Sequence, residues 1–399
     1  MKITVIIALL LAVQQILSAQ DSFVLKGRIF DDSTNVPVPY ATVYVDGTTN
    51  GTISDSTGQF VLSDVRNSSV IVVSHVSYEP KTITIQKDTS SVITIWLREK
   101  DIEISAVNIA DNNLRDENLK IFKNTFIGRD SWGESTQLLN DSVLLFNCHY
   151  DYQKVMLNDA IRKNIDAGYV TNIEEWDEDS TYVILKVLTD FDVIARAPLN
   201  IDMPLLGYNL RVDLFNFNIS AEQEHAKVKF LGYYYFQPYE TKSKTKINRM
   251  ERNRRMVYYN SSKHFFTSLY ENNLARNGYK VTEMLYDSVT NKNEEVNVNF
   301  ENYVNYIDNN QLQIIGLKDR EFSITYYGNS KYEPFDFYIT SKDALEDAYH
   351  IEKSKLYFLK DTCIVNSDGT IPNTDIMFGG SISRKRVGSY LPANYEVKD

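Results

Sequence analysis

The chain has 399 residues, 43% of them hydrophobic and 12% aromatic, with 27 Tyr and a formal net charge of −11. That composition excludes an intrinsically disordered protein, and the acidic balance excludes a general nucleic-acid binder. Only Cys148 and Cys363 are present, which excludes a disulfide framework and leaves either two buried free thiols or one bridge between distant segments.

The chain opens MKITVIIALLLAVQQILSAQ. Lys2 supplies a positive start, Ile3 to Val13 form an apolar stretch too short to span a bilayer, and Ser18 and Ala19 are small residues suited to cleavage. Residues 1–19 are therefore expected to be a signal peptide. No later apolar run is long enough to span, so the mature chain is expected to be exported without a membrane span, to the periplasm or the outer-membrane region.

Residues 20–99 are expected to form a β-sandwich. Val24 to Phe30 alternates, and Asp31 to Asn35 is a turn cluster. Pro37 and Pro39 keep the next entry extended; Ala41, Val43 and Val45 then face one way and Thr42 and Tyr44 the other. Asp46-Gly47 and Asn50-Gly51 mark tight turns, and Asp55 to Gly58 makes another before the strand Gln59 to Leu62. Ser69 to Ser74 is a β-branched run fit for burial on both faces, followed by Lys81 to Ile85 and Val92 to Leu97. Seven short strands at such spacing make a sandwich. Asp55 is placed to cap its hairpin through the side chain, Gly58 to supply positive φ, and Phe60 and Tyr78 to fill the core.

These positions resemble the carboxypeptidase regulatory-like domain, a transthyretin-like sandwich. The matching residues are Gly27, Asp31, Pro39, Ala41, Val43, Gly47, Thr48, Gly51, Asp55, Gly58, Phe60, Val73, Ser74 and Tyr78, with Ser77 standing where that family usually has Gly. The resemblance implies a fold but no reaction.

Residues 100–116 read as a linker, and residues 117–399 as a β-rich α+β module, so the chain as a whole is expected to be mainly β. Glu117 to Phe126 places Leu119, Phe122 and Phe126 on one helical face, with Gly128 as a stop. Val143 to Tyr152, Thr181 to Leu188, Tyr208 to Phe217 and Phe230 to Pro238 read as strands. Lys246 to Tyr258 and Ser262 to Arg276 read as a two-helix insertion ended by Gly278. Strands return at Glu295 to Phe300, Gln311 to Leu317, Phe322 to Tyr327, Phe335 to Ile339 and Lys355 to Phe358, and a terminal loop region starts at Ser367. The pieces NLKIFKNTFIG, PLLGYNLRVDL, HFFTSLYENNLARNGYKV and FGGSISRKRVGSYLPANYEV resemble exported Bacteroidetes proteins that carry the same sandwich and no outer-membrane barrel.

Catalytic chemistry is hard to place on this chain. His75, His149, His225, His264 and His350 show no zinc-peptidase spacing. No G-x-S-x-G occurs, and Cys148 and His149, adjacent on a strand, point to opposite faces. The acidic run Glu174, Glu175, Asp177, Glu178 and Asp179 lacks calcium-loop spacing and reads as a solvated loop. No cofactor and no metal site is therefore expected. The local feature that departs from its surroundings is basic: Lys242, Lys244, Lys246, Arg249, Arg252, Arg254 and Arg255, opposed only by Glu251. This segment is the candidate docking surface for an acidic protein or an anionic envelope component; the alternative is a solvated face paired with the protein's own carboxylates. The expected role is non-enzymatic binding or scaffolding at the cell envelope. The rival is an exported hydrolase with its site within residues 115–399.

Overall fold

The computed structural model describes residues 22–85, 92–100, 112–166, 173–176, 181–222, 225–287, 292–308, 310–328, 351–371 and 376–397. The expected signal peptide and the expected strand Phe335 to Ile339 lie outside them.

The first unit contains β1 (Phe23–Asp31), β2 (Thr42–Val45), β3 (Gly51–Ile53), β4 (Gln59–Val65), β5 (Val70–Ser74), β6 (Lys81–Thr84) and β7 (Ile93–Leu97). Three strands pair in the order β4-β1-β7 and four in the order β3-β2-β5-β6, so the seven strands make a two-sheet sandwich. Leu25, Ile29, Phe60 and Ile95 from one sheet meet Val43, Ile71 and Val73 from the other. The turn chemistry is as the residue types require. Asp55 accepts hydrogen bonds from the Thr57 hydroxyl at 2.8 Å and from the Gln59 and Thr57 amides at 3.0 and 2.8 Å, which together hold its carboxyl below the usual range. Gly58 has φ +73°, and a Cβ there would lie 2.5 Å from the Ile29 carbonyl oxygen. Tyr78 packs on the core and its hydroxyl donates to Asp31 at 2.9 Å. Ser77 does not adopt positive φ, so the bend tolerates it without glycine.

A second unit follows: α1 (Asn112–Phe126), α2 (Ser131–Ser135), β8 (Gln137–Leu138), β9 (Leu144–Met156), α3 (Asp159–Asp166), β10 (Ile173–Trp176), β11 (Tyr182–Ala195), β12 (Leu199–Met203), β13 (Tyr208–Glu222) and β14 (His225–Pro238). Its sheet runs β10-β11-β13-β12-β8, with β14 also on β13 and β9 also on β11. α1 begins at Asn112, inside the stretch expected to be linker, because Arg115 anchors that turn to the Leu144 and Asp141 carbonyls at 3.2 and 3.0 Å. Phe122 and Phe126 stack at 5.0 Å and pack against Phe217. Four strands run longer than their apolar alternation predicts. β9 and β11 stay paired from Leu144 opposite Ala195 out to Met156 opposite Tyr182, where Lys154 lies 3.5 Å from the Tyr182 ring centre.

The helices α4 (Lys244–Tyr258) and α5 (Ser262–Tyr270) then lead to β15 (Tyr279–Asp287), β16 (Lys292–Asn297), β17 (Val304–Tyr306), β18 (Gln311–Ile315), β19 (Glu321–Tyr326), β20 (Glu352–Phe358), β21 (Thr362–Asn366), β22 (Ile376–Gly379) and α6 (Gly380–Arg384). The strands form the sheets β16-β15-β19-β20-β22 and β17-β18-β21 around a third core. α5 stops at Tyr270, short of the expected Arg276. Asn272 turns left-handed at φ +56°, and turns carry the chain onward while keeping Leu274 buried. The apolar spacing there survives; the helix does not.

The helical pair is a joint between two cores. Val257 of α4 belongs to the second core, whereas Tyr259 and the Phe265-Phe266 pair of α5 belong to the third. The segment expected as a terminal loop is a strap across all three units. Ile382 enters the third core and Val387 the second. The Ala393 amide then donates to Gly47 of the sandwich at 2.7 Å. β21, missed in sequence, leads into it, and β22, also missed, lies within it.

The sandwich is fastened to the second unit by the face of β2 and β5 that its own core does not use. Tyr44 and Val72 lie in register on that face and pack with Tyr235, whose ring is 5.1 Å from that of Tyr44. A Cβ on Gly51 would sit 2.5 Å from Tyr235, so glycine permits the approach. The Gly47 amide donates to the Tyr234 carbonyl at 2.7 Å and the Phe236 amide to the Thr48 carbonyl at 3.0 Å, which joins the two units through backbone. Burial of Ser69 to Ser74 on both faces is thereby explained: Ile71 and Val73 enter the sandwich core, Val72 and Ser74 this seam.

Candidate functional site

α4 has two faces. Its N-cap, Ser243, accepts from the Lys246 amide at 3.5 Å. Met250, Asn253 and Val257, three and four positions apart, are buried and turned inward. Asn253 donates to the Leu205 carbonyl at 2.8 Å, and Met250 lies over Gly207, so the helix clasps the turn between β12 and β13.

The seven basic residues divide between these faces. Lys242, Lys244, Lys246, Arg249 and Arg252 are exposed; Arg254 and Arg255 are half-buried. Arg254 is held by its own chain. It donates to the Leu206 and Gly207 carbonyls at 2.8 and 3.4 Å, lies 3.5 Å from Glu251, and stacks 4.2 Å over the Tyr208 ring. The five exposed cations make no ion pair among the described residues. Lys244 and Lys246 fall in the first turn of the helix, where the partial charge of the helix end is already positive; Lys242 lies just before it, and Arg249 and Arg252 stand farther along. Cations at that end are locally unfavourable, so helix stability does not select Lys244 and Lys246.

Beside this half of α4 lies a cleft of about 720 Å³. Lys246 and Arg249 of α4 line it together with Asn209, Gln237, Tyr239 and Glu240. The Tyr239 hydroxyl is tied to Asp202, and burial together with that carboxylate pushes its pKa up. The cleft offers two cations, two amides and a fixed ring, with Glu240 as the one acidic side chain on its lining, so an anion would meet Lys246 and Arg249 on the side away from that carboxylate only if it lies along α4.

The remaining candidates do not converge. His264 is buried, His149 exposed, and His75 half-buried with its pKa lowered by burial and then by the charges of Arg211 and Lys100. His350, Asp177, Glu178 and Asp179 lie outside the described residues, and Glu174 and Glu175 are exposed on β10. Among the described residues no group of three His, Cys, Asp or Glu side chains is placed to hold a metal. The bridge weighed for Cys148 and Cys363 is absent, because Cys148 packs against the second core and Cys363 inside the third. Burial pushes the Cys148 thiol up to about 11. The Tyr-rich strand Tyr233 to Phe236 is packing, with Tyr235 on Tyr44 and Tyr234 on Tyr390.

One site escaped sequence reasoning. Lys385, Glu352 and Tyr326 line a small cavity below the far end of α4. Nothing in the spacing of these three residues draws them together, since their elements meet only through tertiary packing.

Comparison with known proteins agrees with the sandwich. Residues 25–109 match the family described as the CarboxypepD_reg-like domain. No curated protein matches the chain. Among solved structures, a protein of unknown function from Bacteroides fragilis NCTC 9343 aligns at 12% identity over 55% of this chain and 99% of its own, with a TM-score of 0.16. Among the described residues no helix is long and apolar enough to cross a membrane. With seven strands in two sheets and its turn residues in place, the N-terminal part of this chain is a carboxypeptidase regulatory-like domain.

Proposed function

We propose that the protein is a non-catalytic binding or scaffolding component of the bacterial cell envelope, exported by residues 1–19. Residues 20–99 form its regulatory-like sandwich, and the part of the chain from α1 onward, residues 112–399, the module that engages the partner. The docking surface is the exposed basic half of α4 with its cleft, and the partner is an acidic polypeptide segment. The observation that carries this reading is the set of five exposed cations with no ion pair among the described residues, two of them in the first turn of the helix, where they cost stability. A carboxylate-rich segment laid along Lys246 and Arg249 gains from both side chains and from the positive helix end.

The test compares wild type with a Lys246→Gln, Arg249→Gln, Arg252→Gln triple variant, using immobilised poly-glutamate and, separately, anionic phospholipid vesicles. Wild type should bind poly-glutamate, more tightly at low salt since screening acts over about 8 Å at physiological ionic strength, and the variant should lose most of that binding. Binding to the vesicles alone identifies a lipid surface as the partner. Equal retention of both proteins on both matrices sinks the proposal.

A further inference from the structure

At the opposite end of α4 from the basic cleft, and independent of it, is a cavity of about 150 Å³. Trp132, Met256 and Val257 give it apolar walls, and Lys385, Glu352 and Tyr326 place polar groups on it. Tyr326 is 2% exposed, and its hydroxyl has no hydrogen-bond partner among the described residues. A buried hydroxyl is normally paired, so an unpaired one on a cavity wall marks a place where a partner belongs.

The other polar groups are partly engaged. Lys385 Nζ donates to the Val257 and Tyr259 carbonyls at 3.1 and 2.5 Å, which leaves one N–H of an ammonium group uncommitted. Burial lowers the pKa of this lysine to about 8, with Glu352 and Asp130 acting in the opposite direction. Glu352 Oε2 accepts from Asn260 and Ser381 at 2.7 and 2.5 Å, and Asp130 Oδ1 accepts from the Gly133 amide at 2.9 Å.

Size and charge then select a class of guest. A cavity of roughly this volume accommodates a benzene-sized molecule. An anion would face the carboxylates of Glu352 and Asp130, and a cation would face Lys385. A neutral molecule meets neither penalty. Its apolar body fits Trp132 and Met256, and one oxygen fits the donors on Tyr326 and Lys385.

We propose that this cavity is a binding site for a small neutral ring compound carrying one oxygen, which accepts hydrogen bonds from the Tyr326 hydroxyl and Lys385 Nζ. The probe is phenol at millimolar concentration, followed by saturation-transfer NMR on the full chain, with benzoate as the anionic comparison. Phenol should receive saturation and benzoate should not. Tyr326→Phe removes only the hydroxyl; it should weaken phenol binding about tenfold, the loss of roughly one hydrogen bond, while leaving the urea midpoint unchanged or higher. Absence of transfer to phenol overturns the proposal, as does equal phenol affinity in the Tyr326→Phe variant. A crystal soaked in phenol whose cavity holds only water overturns it as well.

Discussion

The Tyr44 hydroxyl donates a 2.8 Å hydrogen bond to Asp213, joining β2 of the sandwich to β13 of the second unit. Asp213 has a side chain only 2% exposed and also accepts from Ser74 at 2.5 Å, with Arg211 Nε 3.6 Å away. A carboxylate taken out of water is tolerated only where donors replace its hydration. Here two of them come from the other unit, so the bonds that satisfy Asp213 also set how the sandwich sits.

Removing the acceptor is therefore expected to cost more than removing one donor. Asp213→Ala leaves Tyr44, Ser74 and Arg211 without their anion and should lower stability by about 3–5 kcal/mol. Tyr44→Phe leaves Ser74 in place and should cost about 1.5–3 kcal/mol, as for a hydrogen bond to a charged group. The double variant should lose less than the sum in urea unfolding; additivity within about 0.5 kcal/mol would show that the two residues are not coupled.

Within the sandwich, Phe60 is buried between the sheets. Phe60→Ala should cost about 3–5 kcal/mol, the usual loss for emptying an aromatic core site. Chemical denaturation of the full chain measures it, and a loss below about 1 kcal/mol would place the ring outside the core.

The sandwich was readable because its information is local. Asp55 and Gly58 fix a hairpin within a few residues, and β1 shows its inward face by alternation. Even Ser69 to Ser74 announced burial on both faces, though not what would cover the second one. Asp213 gave no such signal, since its partners Tyr44 and Ser74 lie far back in the chain. The strap from α6 to Tyr395 was hidden for the same reason: a Gly- and Ser-rich stretch carries little periodicity, and its order comes from bonds such as Lys263 Nζ to the Ala393 carbonyl at 2.5 Å. Of the candidate site, the charge was legible and the division of labour was not. Arg254 looks like its neighbours in sequence but is consumed by Leu206, Gly207 and Tyr208.

That division predicts different outcomes for similar substitutions. Arg254→Gln breaks two bonds to carbonyls and the stack on Tyr208, and should cost about 1.5–3 kcal/mol. Arg249→Gln alters an exposed side chain and should change stability by less than about 0.5 kcal/mol. Thermal unfolding of the two single variants side by side separates them; equal shifts would mean Arg254 is not an anchor.

Asp46 sits at the seam, where burial raises its carboxyl to about 6 against the lowering effect of the Tyr234 amide, which donates to it at 2.8 Å. A carboxyl raised above its unfolded value of 3.8 holds a proton in the fold that the unfolded chain has released. Its contribution is complete below that value and is lost as pH rises through about 6. Asp46→Asn keeps the acceptor oxygen and removes the titration. The variant should gain on wild type as pH rises from 4 to 7, and a stability difference that does not vary with pH would refute the assignment.

His264 responds in the opposite sense. It is buried among Tyr258, Tyr259 and Tyr279, with its Nδ1 2.8 Å from the Tyr279 hydroxyl and 3.3 Å from the Asn260 amide that donates to it. Burial, and then the charge of Lys385, push its pKa down to about 3. Below 6.5 the unfolded chain binds a proton that the folded chain refuses, so the contribution is complete above 6.5 and is lost as pH falls toward about 3. The slope is at most about 1.4 kcal/mol per pH unit, the value for one proton. His264→Gln removes that titration while retaining a hydrogen-bonding group, at the expense of packing. It should be the less stable protein at pH 7, and the gap to wild type should close as pH is lowered from 6.5 to 4 in urea titrations. A gap of constant size over that range would mean that the folded protein accepts the proton, and that the ring is open to water rather than sealed beside Lys385.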